Sequence, residues 1–125
     1  MLLEPKITAF IPTKQVEKSK QFYSNVLGLN LVSEDAYGIE FESNGCFLRI
    51  AIVHELKPYP FTVLGFKICD IESHVKSLIV KGVKFEKYDG LAHDNLGIWT
   101  SPSKAKVAWF KDPDGNLLSL TESPL

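Results

Sequence analysis

Arg49 is the only arginine among fourteen basic side chains; the other thirteen are lysines. Lysine is a strongly hydrated point charge suited to a solvated surface. The planar guanidinium instead forks onto carboxylate or phosphate through two parallel hydrogen bonds. A lone arginine inside an apolar, strand-like run, residues 46–53, therefore has two readings. It anchors an anionic or carbonyl-bearing ligand, or it forms a structural ion pair with Glu40 or Glu42 on a neighbouring strand. Other chemically capable side chains are sparse. His54, His74 and His93 have no spacing that would gather them about a metal, and each reads as a surface or loop residue. Cys46 and Cys69 are too few and too scattered for a zinc site or a disulfide framework, and each sits in an apolar run. They read as free buried thiols in a reducing cytoplasm.

The whole chain bounds the possible partners. Its 125 residues and 14.0 kDa make one domain's worth of chain, residues 1–125, enough to build a core. Fourteen basic and fifteen acidic residues leave a net charge of -1, without the cationic surplus that phosphate backbones or anionic lipids require. No nucleic-acid or membrane partner is expected. No apolar run approaches the roughly 20 residues of a bilayer span. The first residues, Met-Leu-Leu-Glu-Pro-Lys, lack the basic start and apolar stretch of a secretory signal. A cytoplasmic protein is the expectation.

The elements that would position Arg49 follow from periodicity. Strands are expected over 6–12, 29–33, 38–43 and 46–53, with Asn44-Gly45 as a hairpin turn. A helix is expected over 13–25, with Val16, Phe22, Tyr23 and Val26 at helical spacing and Gly28 as its stop. After a proline-bracketed linker, 55–60, the same order returns. A strand over 61–69 precedes a helix over 71–81 that carries Ile71, Val75, Leu78 and Ile79 on one face, with Asp70 as N-cap and Gly82 as stop. Strands over 83–88, 106–111 and 117–121 complete it, with an irregular segment over 89–105. Gln15-Val16-Glu17 matches Asp70-Ile71-Glu72, and Gly28-Leu29-Asn30-Leu31 matches Gly82-Val83-Lys84-Phe85. The chain is thus read as two βαβββ modules, about 5–54 and 61–122. The fold class is α+β: an eight-stranded, curved mixed sheet with helices outside and a concave, ligand-sized space inside.

Strand alternation then sorts side chains between the two faces. Leu48, Ile50 and Ile52 face the helices, which turns Phe47, Arg49 and Ala51 inward. Ile7, Ala9 and Ile11 pack outward, leaving Thr8 and Phe10 inward. Leu118 and Leu120 pack on the helix side, leaving Leu117, Ser119 and Thr121 inward. Glu40 and Glu42 lie on the cavity side or its rim, and Trp109 is placed inward. Trp99, a large apolar residue in an irregular segment, reads as a ligand or dimer contact. The candidate ligand-binding set is Arg49, Thr8, Phe10, Phe47, Ser119, Trp109, Trp99, Glu40 and Glu42. It has the aromatic wall and few polar groups of a small-molecule pocket.

Three stretches carry a family resemblance: Ser19-Lys20-Gln21-Phe22-Tyr23-Ser24-Asn25-Val26-Leu27-Gly28-Leu29, Gly65-Phe66-Lys67-Ile68-Cys69-Asp70, and the hairpin from Trp109 to Leu120 around Asp112-Pro113-Asp114-Gly115-Asn116. In this order they resemble the vicinal oxygen chelate superfamily, which includes glyoxalase I, extradiol dioxygenases and bleomycin-resistance binding proteins. The resemblance implies paired βαβββ modules, usually a homodimer, and in active relatives a divalent metal held on four strand positions. Those positions fall here at Thr8, Arg49, Val63 and Ser119. The quartet is poor for a dication: Val63 has no donor atom, Arg49 is a permanent cation, and Thr8 and Ser119 are weak neutral oxygens. No cofactor is therefore expected. The expectation is a small-molecule-binding protein that sequesters or senses an organic ligand. The alternatives are a metal-dependent, glyoxalase-like lyase or dioxygenase with displaced ligands, or a metal-free enzyme or regulatory fragment reusing the cavity.

Overall fold

The computed structural model describes residues 1–124. The chain divides into two compact units, one spanning Met1–Lys57 and the other beginning at Pro58.

In the first unit, β1 (Thr8–Thr13) leads into a helix, and β2 (Asn30–Asp35), β3 (Gly38–Ser43) and β4 (Cys46–Ile52) follow. The sheet order is β1-β4-β3-β2, with β1 parallel to β4 and the other pairs antiparallel. The helix starts later than its periodicity suggested. Thr13 closes β1 instead, fully buried, with its Oγ1 2.7 Å from Ser19 Oγ and accepting the Gln15 N–H at 3.0 Å. That hydroxyl pair ties strand to helix without leaving a buried polar group unmet. Helix α1 (Val16–Gln21) then widens into a π turn over Phe22–Val26, where the Leu27 N–H donates to Phe22 O at 2.9 Å. Gly28, at φ +75°, ends it. The turn seats Tyr23, fully buried, against Phe41 at a ring separation of 6.0 Å. Ile11, Ile39, Phe41, Leu48 and Ile50 form the rest of this core. Ile7 and Ile52, expected on the helix side, are exposed: Ile7 precedes β1 and Ile52 ends β4.

The second unit repeats the order with β5 (Thr62–Lys67), helix α2 (Ile71–Val80), β6 (Phe85–Glu86), β7 (Trp99–Thr100), β8 (Lys106–Lys111) and β9 (Leu117–Glu122). Its sheet runs β5-β9-β8-β6, and β7 also pairs with β8. The α+β class and paired modules stand, with the strands distributed in sheets of four and five. The strand expected over 83–88 contracts to two residues. The irregular segment supplies β7, too short to show a period. Ile71 and Val75 are buried, but Ile79 is exposed, because its angular position falls at the flank of the buried stripe. Asp70 caps α2 by accepting the Ser73 N–H at 3.3 Å, and Glu122 Oε1 takes the Ile71 N–H at 2.9 Å. Two orphan donors are thereby met, one from the far end of the sequence.

Both cysteines are exposed, correcting the expectation of buried thiols. Cys46 opens β4 directly after the hairpin turn, and Cys69 lies between β5 and α2. Each sits where its strand leaves the packed region.

Gly38 is required by close approach: a Cβ there would overlap the Ile50 carbonyl oxygen across the ladder. Gly38→Ala should lower unfolding stability by about 1–3 kcal/mol in urea titration, as over-packing does. Glu122→Ala should cost about 1 kcal/mol through the lost helix cap. Wild-type stability in either variant contradicts these contacts.

Candidate functional site

Each unit packs its helix on one face of its sheet, and the other face holds most of the candidate residues. In the first unit, cross-strand register forms two rows on that face. One row runs Phe10, Arg49, Glu40 and Ser33; the other runs Thr8, Phe47, Glu42 and Asn30. Phe10 is 68% exposed, a large apolar side chain left in the open. Phe47 is half-buried, with Lys6 Nζ 5.6 Å from its ring centre in cation–π geometry.

Arg49 does not pair with Glu40 or Glu42, as the sequence suggested. Its Nη2 donates to Asp35 Oδ1 at 2.9 Å and to Oδ2 at 3.1 Å. The reason is local. Asp35 begins a tight turn and accepts the Tyr37 N–H at 2.7 Å and the Gly38 N–H at 3.1 Å. Its carboxylate is therefore fixed before Arg49 arrives. The Tyr37 N–H holds the Asp35 carboxyl below its ordinary value; burial opposes this, and Arg49 adds to the lowering. Glu42 is occupied elsewhere, accepting from Gly45 N–H at 2.8 Å and Asn30 Nδ2 at 3.2 Å. Glu40, directly opposite Arg49, has no partner among the described residues.

In the second unit, the open-face row runs Gly65, Ser119, Trp109 and Glu86, and the next runs Lys67, Thr121, Val107 and Trp99. Leu117, expected inward, is buried, as the first residue of β9 opposite Lys111. Trp109 is the centre of an aromatic group. Tyr88 meets it edge-on at 5.6 Å, His93 at 6.0 Å and Trp99 at 6.0 Å with a tilt of 31°. Burial, then the charge of Glu86, push the Tyr88 phenol above its ordinary value.

His93 holds this group together, a role its sequence position did not reveal. Its Nε2 accepts the Tyr88 N–H at 2.9 Å, and its Nδ1 lies 2.8 Å from the Gly97 carbonyl. A carbonyl only accepts, so Nδ1 carries the hydrogen and the ring is neutral in this arrangement. His54 and His74 are exposed.

The positions assigned to a metal do not fit one. Thr8 is exposed beside Phe47, Arg49 is committed to Asp35, and Val63 sits at a register shift of β5 with only a hydrocarbon side chain. Ser119 contributes one hydroxyl. Among the described residues, no three His, Cys, Asp or Glu side chains cluster to hold an ion. Sequence reasoning also missed a cavity of about 560 Å³ lined by Lys67, Ile68, Cys69, Asp70, Glu122, Ser123 and Pro124. Its two carboxylates are already spent capping α2.

His93→Phe should keep ring packing while removing both bonds. Stability should fall by about 1–3 kcal/mol, with a change in tryptophan emission as Trp99 and Trp109 loosen. Unchanged stability and emission would show that His93 is not the tie. For Asp35, the lowered carboxyl sets the sign. Its contribution is complete above the ordinary carboxylate range and is lost as pH falls through the lowered value. Asp35→Asn should therefore narrow its stability gap to wild type as pH falls below the ordinary carboxylate range; a gap independent of pH contradicts the pairing.

The chain matches the family model described as Glyoxalase/Bleomycin resistance protein/Dioxygenase superfamily over residues 6–120. Among solved structures it is similar to a putative glyoxalase family protein from Bacillus anthracis, at 15% identity and TM-score 0.77, covering 98% of this chain and 97% of that one. It is likewise similar to a superfamily member from Sphaerobacter thermophilus, at 22% identity and TM-score 0.75, covering 98% and 100%. A lactoylglutathione lyase from Agrobacterium tumefaciens shares 14% identity at TM-score 0.74, covering 95% and 93%. Comparison with curated proteins gives no match. At these identities the likeness to solved structures shows the fold, and with the family model spanning nearly the whole sequence, the chain belongs to the glyoxalase/bleomycin resistance protein/dioxygenase superfamily.

Proposed function

We propose that this protein binds a small organic molecule without the superfamily's metal, and that Arg49 anchors an aromatic ligand bearing a carboxylate or carbonyl group. The observation that carries this reading is the state of the Arg49 guanidinium. Nη2 is engaged by Asp35, while Nε and Nη1 have no partner among the described residues. The side chain is 21% exposed, so part of it is open to a ligand. A guanidinium pinned on one side and free on the other is pre-organised for a second oxygen ligand.

The surroundings define the class. Phe10 and Phe47 flank Arg49 across and along the strands and offer aromatic surface. Glu40 places opposite an acceptor without a partner among the described residues, which favours a ligand carrying a donor beside its carboxylate. A metal-based lyase or dioxygenase would have to bypass Thr8, Arg49, Val63 and Ser119, whose donor chemistry disfavours a dication. A homodimer belongs to the same proposal, supported by the exposed Leu31 and Val32 of edge strand β2. So does a cytoplasmic setting, supported by two free cysteines.

A suitable probe is 3-amino-2-naphthoate, followed by titration calorimetry. Wild type should bind it. Arg49→Ala should weaken binding roughly 10- to 100-fold, the worth of a charge-assisted pair. Arg49→Lys should not restore it, because the fork is lost. Wild-type affinity in a folded Arg49→Ala variant overturns the anchor. Stoichiometric zinc, nickel, manganese or iron in protein purified without chelator overturns the metal-free reading.

A further inference from the structure

The hairpin turn between β3 and β4 carries chemistry that neither open sheet face uses. The chain has five asparagines, Asn25, Asn30, Asn44, Asn95 and Asn116, and only Asn44 is followed by glycine. The others precede valine or leucine, whose branched side chains shield the next backbone nitrogen. That nitrogen is a nucleophile within reach of the asparagine side-chain carbonyl. Its attack closes a five-membered succinimide and expels ammonia. Water then opens the ring and leaves aspartate or isoaspartate.

The structure leaves one partner of this reaction open and holds the other. Asn44 is exposed, at φ +48°, and its side chain has no partner among the described residues. Gly45, at φ +81°, has open space where a Cβ would stand. Its N–H, however, donates to Glu42 Oε1 at 2.8 Å. Glu42 is itself tethered by Asn30 Nδ2 at 3.2 Å. The Gly45 N–H, then Asn30, hold the Glu42 carboxyl below its ordinary value; burial opposes this and Lys6 assists. The carboxylate is therefore charged at neutral pH. The attacking nitrogen has to lose its proton. Beside a carboxylate that loss is disfavoured twice: a charge-assisted hydrogen bond breaks, and two negative charges meet.

We propose that Asn44 is a site of spontaneous deamidation and that Glu42 sets its rate by guarding the Gly45 nitrogen. The bond from Gly45 N to Asn44 Cγ forms, the Cγ–Nδ2 bond breaks, and the Gly45 proton leaves with the ammonia. One water hydrolyses the imide. Isoaspartate adds one carbon to the main chain. A two-residue turn then no longer fits between Ser43 and Cys46, the pair that closes the β3/β4 register. Modification thus loosens the strands that set Arg49 opposite Glu40. The reaction needs no ligand and does not depend on the Arg49 reading.

The test is incubation of the full chain at mildly alkaline pH. Peptide mapping by mass spectrometry and enzymatic methylation of isoaspartate are the readouts. Asn44 should deamidate ahead of the other four asparagines, and more slowly in native protein than in guanidinium-unfolded chain. Glu42→Ala, with circular dichroism confirming the fold, should raise the native rate about tenfold, the worth of one charge-assisted hydrogen bond. Glu42→Gln, which keeps length but not charge, should raise it by less. Neither should change the rate in the unfolded chain, where nothing holds the Gly45 N–H. Should the Glu42 variants fail to fold, Asn30→Ala keeps the carboxylate but frees its tether, and should also raise the native rate. Native rates equal to wild type in these variants overturn the guard. Deamidation that begins at another asparagine overturns the site.

Discussion

Each unit has one helix for one sheet, and a single helix covers only one face. That constraint shapes the rest of the molecule. The covered faces take Ile11, Ile39, Phe41, Leu48 and Ile50 in the first unit, and Ala108, Phe110, Leu118 and Leu120 in the second. Because side chains alternate with a period of two, every residue between these is turned to the other face. Arg49 lies between Leu48 and Ile50, and Ser119 between Leu118 and Leu120. Their places follow from the apolar residues on either side. A slip of one residue would send Arg49 into the core.

The uncovered faces are neither plainly solvated nor plainly apolar. The first holds Phe10 in the open beside a guanidinium whose Nε and Nη1 have no partner among the described residues. The second holds Trp109, in ring contact with Tyr88 and Trp99, beside the Ser119 hydroxyl. On an ordinary surface such aromatics would be replaced by charge. Their combination matches small-molecule sites, which join aromatic area to a few placed polar groups. The fold supplies the frame, and these side chains supply the function argument.

The sequence conveyed the repeat, the strand faces and the Asp70 cap, because each rests on local periodicity or local turn chemistry. It also conveyed the family, through Ser19 to Leu29 and the Asp112–Asn116 turn. It did not convey the partner of Arg49. Directly facing residues were expected to pair, but a turn had already fixed Asp35 through the Tyr37 and Gly38 amides. Asp35 followed by Gly38 at the fourth turn position is a signal that could have pointed there. Nor did it convey His93, whose two bonds go to backbone groups at Tyr88 and Gly97 that no side-chain pattern records. The Glu122 cap of α2 joins residues 51 positions apart, beyond any local signal.

Because Arg49 is the sole arginine, its Nε–H group gives one resonance in an arginine-selective proton–nitrogen spectrum. Following that single signal during titration with 3-amino-2-naphthoate tests the central claim directly. The account predicts a saturable shift that tracks binding, with the Asp35 pairing on Nη2 retained. A signal that stays fixed while the ligand binds would contradict it.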